Sequence, residues 1–352
     1  MRDIKASLNW ITDILKELKI PFHIAGGLAA IAHGSNRELL DIDIDIPENK
    51  FDLLKERVNG FIVNGPSHVK DEHWDLLLIT LNHYGQVIDI SGAYQTKIFN
   101  QETQEWCQIS TNFLNSELIE IFGLKVPVIS REELLAYKKI LARTVDLVDI
   151  EAIKASHLTQ LQQFIEQYNF ATLISQENGN MLVSHVPIIL YRDLGEYGTL
   201  AWHVAKQNPH AKSFDGNENA LLIFHGPHSY ISPQWYKSYP NVPTWNYAVV
   251  RAYGNPQEIT NDDLINDLTQ MVMQQEKNSN YVIPNDYMLK LMNHIVGFRM
   301  QITKIENIFK LGQNRNQEDQ EGMILGLLNS DNGLSLADLM KSIQIRNYKQ
   351  EE

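Results

Sequence analysis

Aspartates that alternate with isoleucine in one short segment are the residues of this chain best suited to chemistry. The segment reads Asp41-Ile-Asp43-Ile-Asp45-Ile, and strict alternation of this kind is typical of a β-strand with one apolar face. Residues two apart on a strand point to the same side, so Asp41 and Asp43 can together hold Mg²⁺ against the phosphates of a nucleotide. Asp45 lies roughly 13 Å from Asp41 at about 3.3 Å per residue. We therefore expect Asp45 to be a solvated strand end.

Glycines, an arginine and a further aspartate flank this pair in an order that suits a phosphate site. Gly26 and Gly27 follow a short apolar run, and glycines let backbone N–H groups approach phosphates closely. Arg37 precedes the aspartates, and Asp89 lies in the later segment QVIDIS. Asp89 would be the base or extra metal ligand that prepares an acceptor hydroxyl. The alternative for an isolated Asp-x-Asp pair is a half-exposed strand with its carboxylates in water.

The segment IAGGLAAIAHGSNRELLDIDIDIP resembles the signature of the nucleotidyltransferase superfamily, in particular its small aminoglycoside-adenylyltransferase-like members. A later segment, VPVISREELLAYKKILARTVDLVDIEAI, resembles the closing helix of that family, where Lys138 and Arg143 would contact substrate or phosphate. The resemblance implies Mg²⁺-dependent nucleotide chemistry in the first 150 residues. The residues that it assigns to catalysis or nucleotide binding are Gly26, Gly27, Arg37, Asp41, Asp43, Asp89 and Lys138.

The elements that must position these residues alternate between helix and strand. Apolar residues recur every three or four positions from Ile4 to Leu18, which predicts a first helix ending before Pro21. This alternation predicts an α/β domain that closes near Ile150. Strands are expected at 22–25, 42–47, 76–81 and 87–90, and further helices at 28–32, 116–122 and 131–144.

From Leu158 the pattern changes to β-rich segments separated by Gly, Asn and Pro turns, which predicts a mainly antiparallel barrel. An amphipathic helix leads into this barrel, and the polar stretch from Ser330 onward is expected to be a loosely attached tail. The predicted domains are 1–152, 153–329 and 330–352. Strands are expected at 171–176, 181–191, 199–205, 220–224, 247–253 and 296–305, and helices at 158–167, 262–277 and after Asn316.

Seven segments of this second part closely resemble, in order, the PaiB family of FMN-binding negative transcriptional regulators. The resemblance covers about residues 158–326. It implies a split β-barrel like that of the pyridoxamine-phosphate oxidase group, a homodimer, and FMN between the subunits. The segments are FATLISQENG, MLVSHVPIIL, LAWHVAKQNPHAK, ALLIFHGPHSYISPQWY, VPTWNYAVVRAYG, HIVGFRMQITKIENIFKLGQNR and EDQEGMILGL.

Side chains suited to FMN occur throughout these segments, because the flavin needs donors for its phosphate and apolar or aromatic surface for its rings. Lys212 follows a Pro-containing turn, with an ordinary surface lysine as the alternative. Arg315 would pair with phosphate, or else with Glu318 or Asp319. The Gly/Pro-rich segment 225–236 carries several aromatic rings beside turns, which indicates a binding loop. The predicted FMN-binding residues are His185, His203, Lys212, Ser232, Trp235, Trp245, Asn246 and Arg315.

Charge and composition exclude several classes of function. The chain has 352 residues, a formal charge of −13 and 43% hydrophobic residues. Residues 1–150 carry 15 Lys/Arg against 22 Asp/Glu, and the remainder carries 15 against 21, so neither half offers the basic field that binds duplex DNA. Cys107 is the only cysteine, which excludes an intrachain disulfide. With no export signal and no apolar run of membrane length, we expect a cytoplasmic protein.

These observations favour a PaiB-like FMN-binding negative transcriptional regulator that carries an N-terminal nucleotidyltransferase-like domain. The expected fold is an α/β nucleotidyltransferase-like domain followed by a mainly antiparallel, pyridoxamine-phosphate-oxidase-like split barrel, with FMN and Mg²⁺ as cofactors and a nucleoside triphosphate as a further ligand. One alternative is a Mg²⁺-dependent nucleotidyltransferase acting on a small molecule or a protein, with the barrel as sensor or dimerisation module. A second alternative is a flavin or haem oxidoreductase.

Overall fold

The computed structural model describes residues 3–214, 220–276 and 281–344, and contacts within the chain divide it into two compact units. The first unit contains the chain up to His157 together with residues 230–244 and the chain from Gly312 onward. The second contains Leu158–Ser229 and Trp245–Leu311. The sequence-based division places residues 230–244 and 312 onward with the barrel and the tail. In the structure they group with the first unit instead.

The first unit is built on a nine-stranded mixed sheet. Its strand order is β7-β6-β4-β5-β2-β1-β9-β8, with β3 paired to β4. Strand β2 runs parallel to β5 and β1 parallel to β9, whereas the other described pairs are antiparallel. The strands are β1 (His23–Ile24), β2 (Asp41–Ile46), β3 (Ile62–Lys70), β4 (Trp74–His83), β5 (Gln86–Gly92), β6 (Lys97–Asn100), β7 (Glu105–Gln108), β8 (Glu117–Ile121) and β9 (Leu124–Val128). The helices are α1 (Ile4–Glu17), α2 (Gly26–Ala32), α3 (Phe51–Val58), α4 (Arg131–Leu141) and the first part of α5 (Thr144–Gln167).

Strand β2 shows how the alternating sequence positions the aspartates. Ile42, Ile44 and Ile46 are fully buried in the core of the first unit, where helix α1 contributes Leu8, Ile11 and Leu15. The aspartates between them therefore point to the opposite face.

One predicted element of this unit was wrong, and one helix begins earlier than predicted. The segment predicted as a helix at 116–122 is strand β8, because Phe122 and Gly123 adopt positive φ angles and close a hairpin with β9. The helix predicted at 158–167 is confirmed, but it is the last part of α5 and begins earlier than expected, at Thr144. The sequence contains no Gly or Pro in this range to end the helix earlier.

The second unit consists of two antiparallel sheets that form the split barrel. One sheet has the order β11-β10-β14-β15-β18 and the other β12-β13-β17-β16. The strands are β10 (Phe170–Glu177), β11 (Asn180–Pro187), β12 (Ile189–Tyr191), β13 (Thr199–Ala205), β14 (Ala220–Ile231), β15 (Thr244–Gly254), β16 (Gln257–Glu258), β17 (Ile295–Gln301) and β18 (Lys304–Lys310). The helices are α6 (His210–Ser213), α7 (Asn261–Gln275) and α8 (Asn285–Met292). The predicted order, an α/β domain followed by a mainly antiparallel β domain, is confirmed.

Two helices complete the first unit, α9 (Gln317–Leu328) and α10 (Leu334–Gln344). Helix α9 begins after Asn316, whose side chain accepts a hydrogen bond from the Asp319 N–H group. Helix α10 buries Leu336, Ala337 and Met340, so the expectation of a loosely attached tail from Ser330 is wrong as far as residue 344. The remainder of that tail, 345–352, and the predicted helix end at Lys277 lie outside the described residues.

No helix that the structure describes is both long and apolar enough to cross a membrane.

Candidate active site

Three carboxylates meet on the polar face of the first unit's sheet. The parallel pairing of β2 with β5 sets Asp43 directly beside Asp89, and Asp41 lies two residues earlier on the same face. One oxygen from each of Asp41, Asp43 and Asp89 lies within 4.8 Å of the others. All three are half-buried. The structure therefore brings together the three aspartates that the sequence singled out, in an arrangement that a hard divalent cation could occupy.

The turn before α2 is shaped around Asp43. Gly26 has a φ of +54°, and a Cβ atom at Gly26 would lie 1.8 Å from Oδ2 of Asp43. The N–H group of Gly27 donates to the same oxygen at 3.2 Å. At Gly27 a Cβ atom would meet only the Arg37 guanidinium at 3.5 Å or more, which is ordinary contact. Gly26 is thus required by a positive φ and a close approach, whereas Gly27 is not required for either reason.

Burial, together with the neighbouring carboxylates, perturbs the protonation of Asp43 and Asp89. Burial and then the charge of Asp41 raise the pKa of Asp43 to about 7, partly offset by the Gly27 hydrogen bond. Burial, with the charge of Asp41, also raises the pKa of Asp89, although Thr80 Oγ1 donates to it at 2.6 Å and opposes the shift. A cation bound among these groups would relieve both effects.

A cavity of about 570 Å³ opens onto the three carboxylates. This volume is in the range of small-molecule sites. Its walls include all of the nucleotide-binding residues predicted from the sequence, together with polar and aromatic residues that the sequence did not indicate. The predicted ones are Gly26, Gly27, Arg37 and Lys138, with Arg143 as a predicted substrate or phosphate contact, and the additional ones include His23, Asp45, Trp74, Ser91 and Tyr137.

Asp45 is not the solvated strand end that we expected. Its Oδ1 accepts a hydrogen bond from Ser91 Oγ at 2.7 Å, and its Oδ2 lies 3.0 Å from Nε2 of the fully buried His23. The other ring nitrogen of His23 lies 3.0 Å from Ser116 Oγ. The expectation was wrong because Ser91 and His23 belong to neighbouring strands β5 and β1, and strand pairing is not visible in the local sequence.

Lys138, which lines the cavity, belongs to a buried ion-pair network. Its Nζ lies 3.1 Å from Asp146 and 2.8 Å from Asp149, and all three side chains are at most 2% exposed. Asp149 also accepts hydrogen bonds from Ser35 Oγ at 2.7 Å and from Arg37 at 3.3 Å. Two aspartates therefore neutralise the Lys138 ammonium, which favours a structural role over the predicted contact with nucleotide.

The two arginines of the cavity keep donors available. Arg143 uses Nε and Nη2 on Asp146, at 2.7 and 3.1 Å, and its guanidinium carbon lies 4.7 Å from the centre of the Trp74 ring. Arg37 uses Nη1 on Asp149 and Nε on the Glu38 carbonyl. Both are anchored on one side and border the cavity, which is the arrangement needed to receive an anionic ligand.

Sequence reasoning missed Trp74 and Tyr137. Trp74 begins β4 and its indole Nε1 donates to the Tyr137 hydroxyl at 2.9 Å. The two residues are 63 positions apart, and each alone is compatible with core packing. The one sequence feature that could have indicated Tyr137 is its position next to Lys138 on the predicted helix.

Five of the eight predicted FMN-binding residues lie in the second unit. His185 on β11 is exposed, and its ring lies 6.2 Å from that of Phe170. His203 on β13 pairs in the sheet with Gly297, and burial lowers its pKa. Lys212 is exposed on the short helix α6, Asn246 is buried on β15, and Trp245 is 54% exposed.

The other three, Ser232, Trp235 and Arg315, group with the first unit. Ser232 caps a short 3₁₀ helix, Pro233–Trp235. Trp235 packs on α9 so closely that a Cβ atom at Gly326 would lie 2.2 Å from its ring. Arg315 donates to Asn241 at 3.0 Å and stacks 4.9 Å from the Tyr236 ring, rather than pairing with Glu318 or Asp319. The predicted aromatic loop was also wrong in its first part, because 225–231 continues strand β14.

Comparisons with known proteins match the second part of the chain to one family and list relatives that share about half of the chain. A family described as "Putative FMN-binding domain" matches residues 151–304. The "Protease synthase and sporulation protein PAI 2" of Bacillus subtilis is 34% identical over 195 residues, covering 53% of this chain and 93% of that protein. An uncharacterized protein of Aspergillus fumigatus is 29% identical over 244 residues, with the same shares of the two chains.

Solved structures resemble each part of the chain only at low scores. A "putative nucleotidyltransferase" of Thermotoga maritima has a TM-score of 0.32 at 21% identity, covering 46% of this chain and 96% of that one. The FAD and heme binding protein of Mycobacterium smegmatis has a TM-score of 0.35 at 11% identity, covering 46% and 76%. Because these scores are low, the chemistry of each unit has to be argued from its own residues.

Proposed function

Because the chain belongs to the PaiB-like FMN-binding family, we propose that it is a flavin-binding regulator whose first unit also transfers a nucleotidyl group with the help of Mg²⁺. The proposed nucleotidyl transfer rests on the cluster of Asp41, Asp43 and Asp89. One oxygen of each lies within 4.8 Å of the others, beside a cavity. The flavin part rests on family membership.

The carboxylate cluster fits Mg²⁺ in ligand type and in charge. Mg²⁺ is bound in proteins through one or two carboxylates together with substrate phosphates and water. Burial and the neighbouring Asp41 raise the pKa of Asp43 to about 7, and a cation beside this carboxylate would stabilise its charged form. Bound Mg²⁺ would neutralise the charge of the nucleotide phosphates.

The chain's own residues then perform binding, orientation and proton transfer. Asp43 is fixed by the Gly27 N–H group, and the donors of Arg37 and Arg143 face the cavity. In the transfer, the oxygen of an acceptor hydroxyl forms a bond to the α-phosphorus while the bond from that phosphorus to pyrophosphate breaks. Asp89, whose pKa is raised by burial, accepts the hydroxyl proton.

The test is incubation of the full chain with Mg²⁺ and nucleoside triphosphates labelled on the α-phosphate, with candidate small hydroxyl acceptors and with the chain itself as acceptor. We expect label transfer and pyrophosphate release by the wild type and their loss in Asp43→Asn. Asp13→Asn is the matched control, because Asp13 is exposed on α1, where its side chain accepts a hydrogen bond from Asn9, and it does not line the cavity. Transfer by Asp43→Asn at the wild-type rate would refute the proposed centre.

FMN binding by the second unit is supported by polar atoms that lack protein partners. His210 is 1% exposed and begins the short helix that carries Lys212; its Nδ1 lies 2.9 Å from Ser184 Oγ. Its Nε2 and the indole nitrogen of the buried Trp202 have no hydrogen-bond partner among the described residues. Buried polar atoms of this kind normally bind a ligand or water. Lys212 would supply charge for the flavin phosphate.

An exposed apolar face on the five-stranded sheet supports the homodimer. Strand pairing puts Phe170, Met181 and Val183 on one face, and they are 63%, 63% and 57% exposed. Apolar side chains exposed together on an outer hairpin are typical of a surface that a second copy covers. FMN would then bind at the subunit junction, as the resemblance implies.

Light scattering of the full chain tests the proposed homodimer, and its absorbance spectrum tests the proposed FMN binding. We expect a dimer with flavin absorbance after incubation with FMN, and a monomer with weakened FMN binding for Val183→Asp. Val63→Asp, which changes a 65% exposed valine in the first unit, should leave both unchanged. A Val183→Asp monomer that binds FMN as tightly as the wild type would refute the shared site.

A further inference from the structure

Tyr137 lines the cavity, and its hydroxyl proton has no acceptor among the residues that the structure describes. The tyrosine lies on α4 and lines the cavity, and its oxygen accepts the indole N–H of Trp74 at 2.9 Å. An indole nitrogen can only donate, so the tyrosine oxygen is the acceptor in this bond and its own proton must point elsewhere. Among the described residues no acceptor is hydrogen-bonded to that proton.

The surroundings of Tyr137 keep this proton in place. Burial, followed by the negative charges of Asp45 and Asp43, raises the pKa of Tyr137 well above its ordinary value. The hydroxyl therefore remains a donor throughout the physiological pH range. A donor held in this state beside carboxylates is suited to a ligand that offers only acceptor oxygens.

A second donor lies on the same wall. Arg143 stacks on the Trp74 ring at 4.7 Å and commits Nε and Nη2 to Asp146, while its Nη1 makes no hydrogen bond within the described part of the chain. Trp74 thus contacts both the tyrosine hydroxyl and the guanidinium. Lys138, by contrast, is enclosed between Asp146 and Asp149.

We propose that Tyr137 and Arg143 form the subsite for the phosphate tail of the nucleotide, with the Tyr137 hydroxyl donating to a phosphate oxygen. This assignment rests on the proposed nucleotide site and replaces Lys138 as the residue of α4 that contacts phosphate. Phosphate oxygens accept but do not donate, and a neutral donor next to a guanidinium matches them without adding charge. Tyr137 is then a specificity-determining residue that favours ligands carrying a phosphate chain.

The experiment compares wild type with Tyr137→Phe in the full chain, using three probes: ATP with Mg²⁺, tripolyphosphate with Mg²⁺, and adenosine. Loss of one hydrogen bond to a charged group should weaken ATP and tripolyphosphate binding about tenfold or more. Adenosine binding should not change. Tyr84→Phe is the matched control, because Tyr84 is 77% exposed and does not line the cavity.

Trp74→Phe provides a second variant that leaves the tyrosine intact. It removes the N–H group that orients the hydroxyl and should weaken ATP binding by a smaller factor, about two- to fivefold. Thermal unfolding of each variant is followed alongside to confirm that the first unit is folded.

The outcomes separate this inference from the proposed function. If the wild type binds neither ATP nor tripolyphosphate with Mg²⁺, the proposed nucleotide site itself is wrong. If the wild type binds both and Tyr137→Phe binds them equally well, only the Tyr137 assignment is overturned. The assignment is also overturned if the variant loses affinity for adenosine in the same proportion, because Tyr137 would then maintain the shape of the cavity.

Discussion

Replacing Gly26 with alanine should remove the proposed metal site by displacing Asp43. The added Cβ atom would lie 1.8 Å from Oδ2 and 2.4 Å from Cγ of Asp43, distances at which the carboxylate cannot keep its position. The backbone offers no relief, because φ of Gly26 is +54° and a side chain is strained there. We therefore expect Gly26→Ala to affect both stability and cation binding.

The size of the stability effect follows from two contributions. A left-handed conformation costs an L-residue about 1–2 kcal/mol. Moving the carboxylate breaks its hydrogen bond from the Gly27 N–H group, which contributes about 1 kcal/mol. The expected loss is thus about 2–3 kcal/mol in the unfolding free energy of the first unit. In an Asp43→Ala background the clash and the hydrogen bond are absent, so Gly26→Ala should cost only the backbone part.

Gly27→Ala is the matched control, because its Cβ atom would make only ordinary contacts and its φ is not positive. Its stability should change by less than about 1 kcal/mol, and in the helical position an alanine is favoured. Differential scanning calorimetry of the four variants, with and without Mg²⁺-ATP, gives both readouts. The reasoning is refuted if Gly26→Ala and Gly27→Ala unfold at the same temperature, or if Gly26→Ala retains wild-type affinity for Mg²⁺-ATP.

Three further predictions concern pH, the first unit's last helices and DNA. Folding raises the pKa of Asp43 from 3.8 to about 7, so between these pH values the folded state holds a proton that the unfolded state has released. Stability without Mg²⁺ should therefore fall as pH rises from about 4 to about 7. Mg²⁺ affinity should rise over the same range, and Asp43→Asn should flatten both curves in calorimetric titrations. Asp319 is 1% exposed and accepts hydrogen bonds from the backbone N–H groups of Lys237 and Ser238 and from the Ser238 hydroxyl. Asp319→Ala should therefore lower the free energy of unfolding in urea by about 2–4 kcal/mol. Asp331→Ala, at an exposed position, should leave it unchanged. Because both halves of the chain are net negative, duplex DNA should bind weakly and with a shallow salt dependence; nanomolar binding to a specific operator near physiological salt would contradict the charge argument.

The alternating pattern of β2 was sufficient to predict that Asp41 and Asp43 lie together. A period of two puts Asp41 and Asp43 on one face whatever the strand's neighbours are. That Asp89 joins them depended on a parallel pairing of β2 with β5, which the resemblance to a known family supplied and the residues alone did not. The buried partners of Asp45 and Lys138 were missed because they come from strands and helices whose pairing the local sequence does not encode.

The aromatic segment after β14 shows a second limit of reasoning from sequence. Several rings next to turns indicated a ligand-binding loop, yet Trp235 packs against Gly326 on α9, about ninety residues later in the chain. A glycine in the middle of a helix gives no signal that an indole ring lies against it. The second unit's strands were easier to predict, because turns and alternation are local features.

The central claim is that the three carboxylates bind Mg²⁺ together with a nucleoside triphosphate. Its most direct measurement is a calorimetric titration of ATP into the full chain with Mg²⁺ present, for the wild type and for Asp43→Asn. The account predicts saturable, Mg²⁺-dependent binding by the wild type and a severe loss of affinity in the variant, because Mg²⁺ recruits few protein ligands and each one matters. Absence of binding by the wild type, or equal binding by the two proteins, would contradict it.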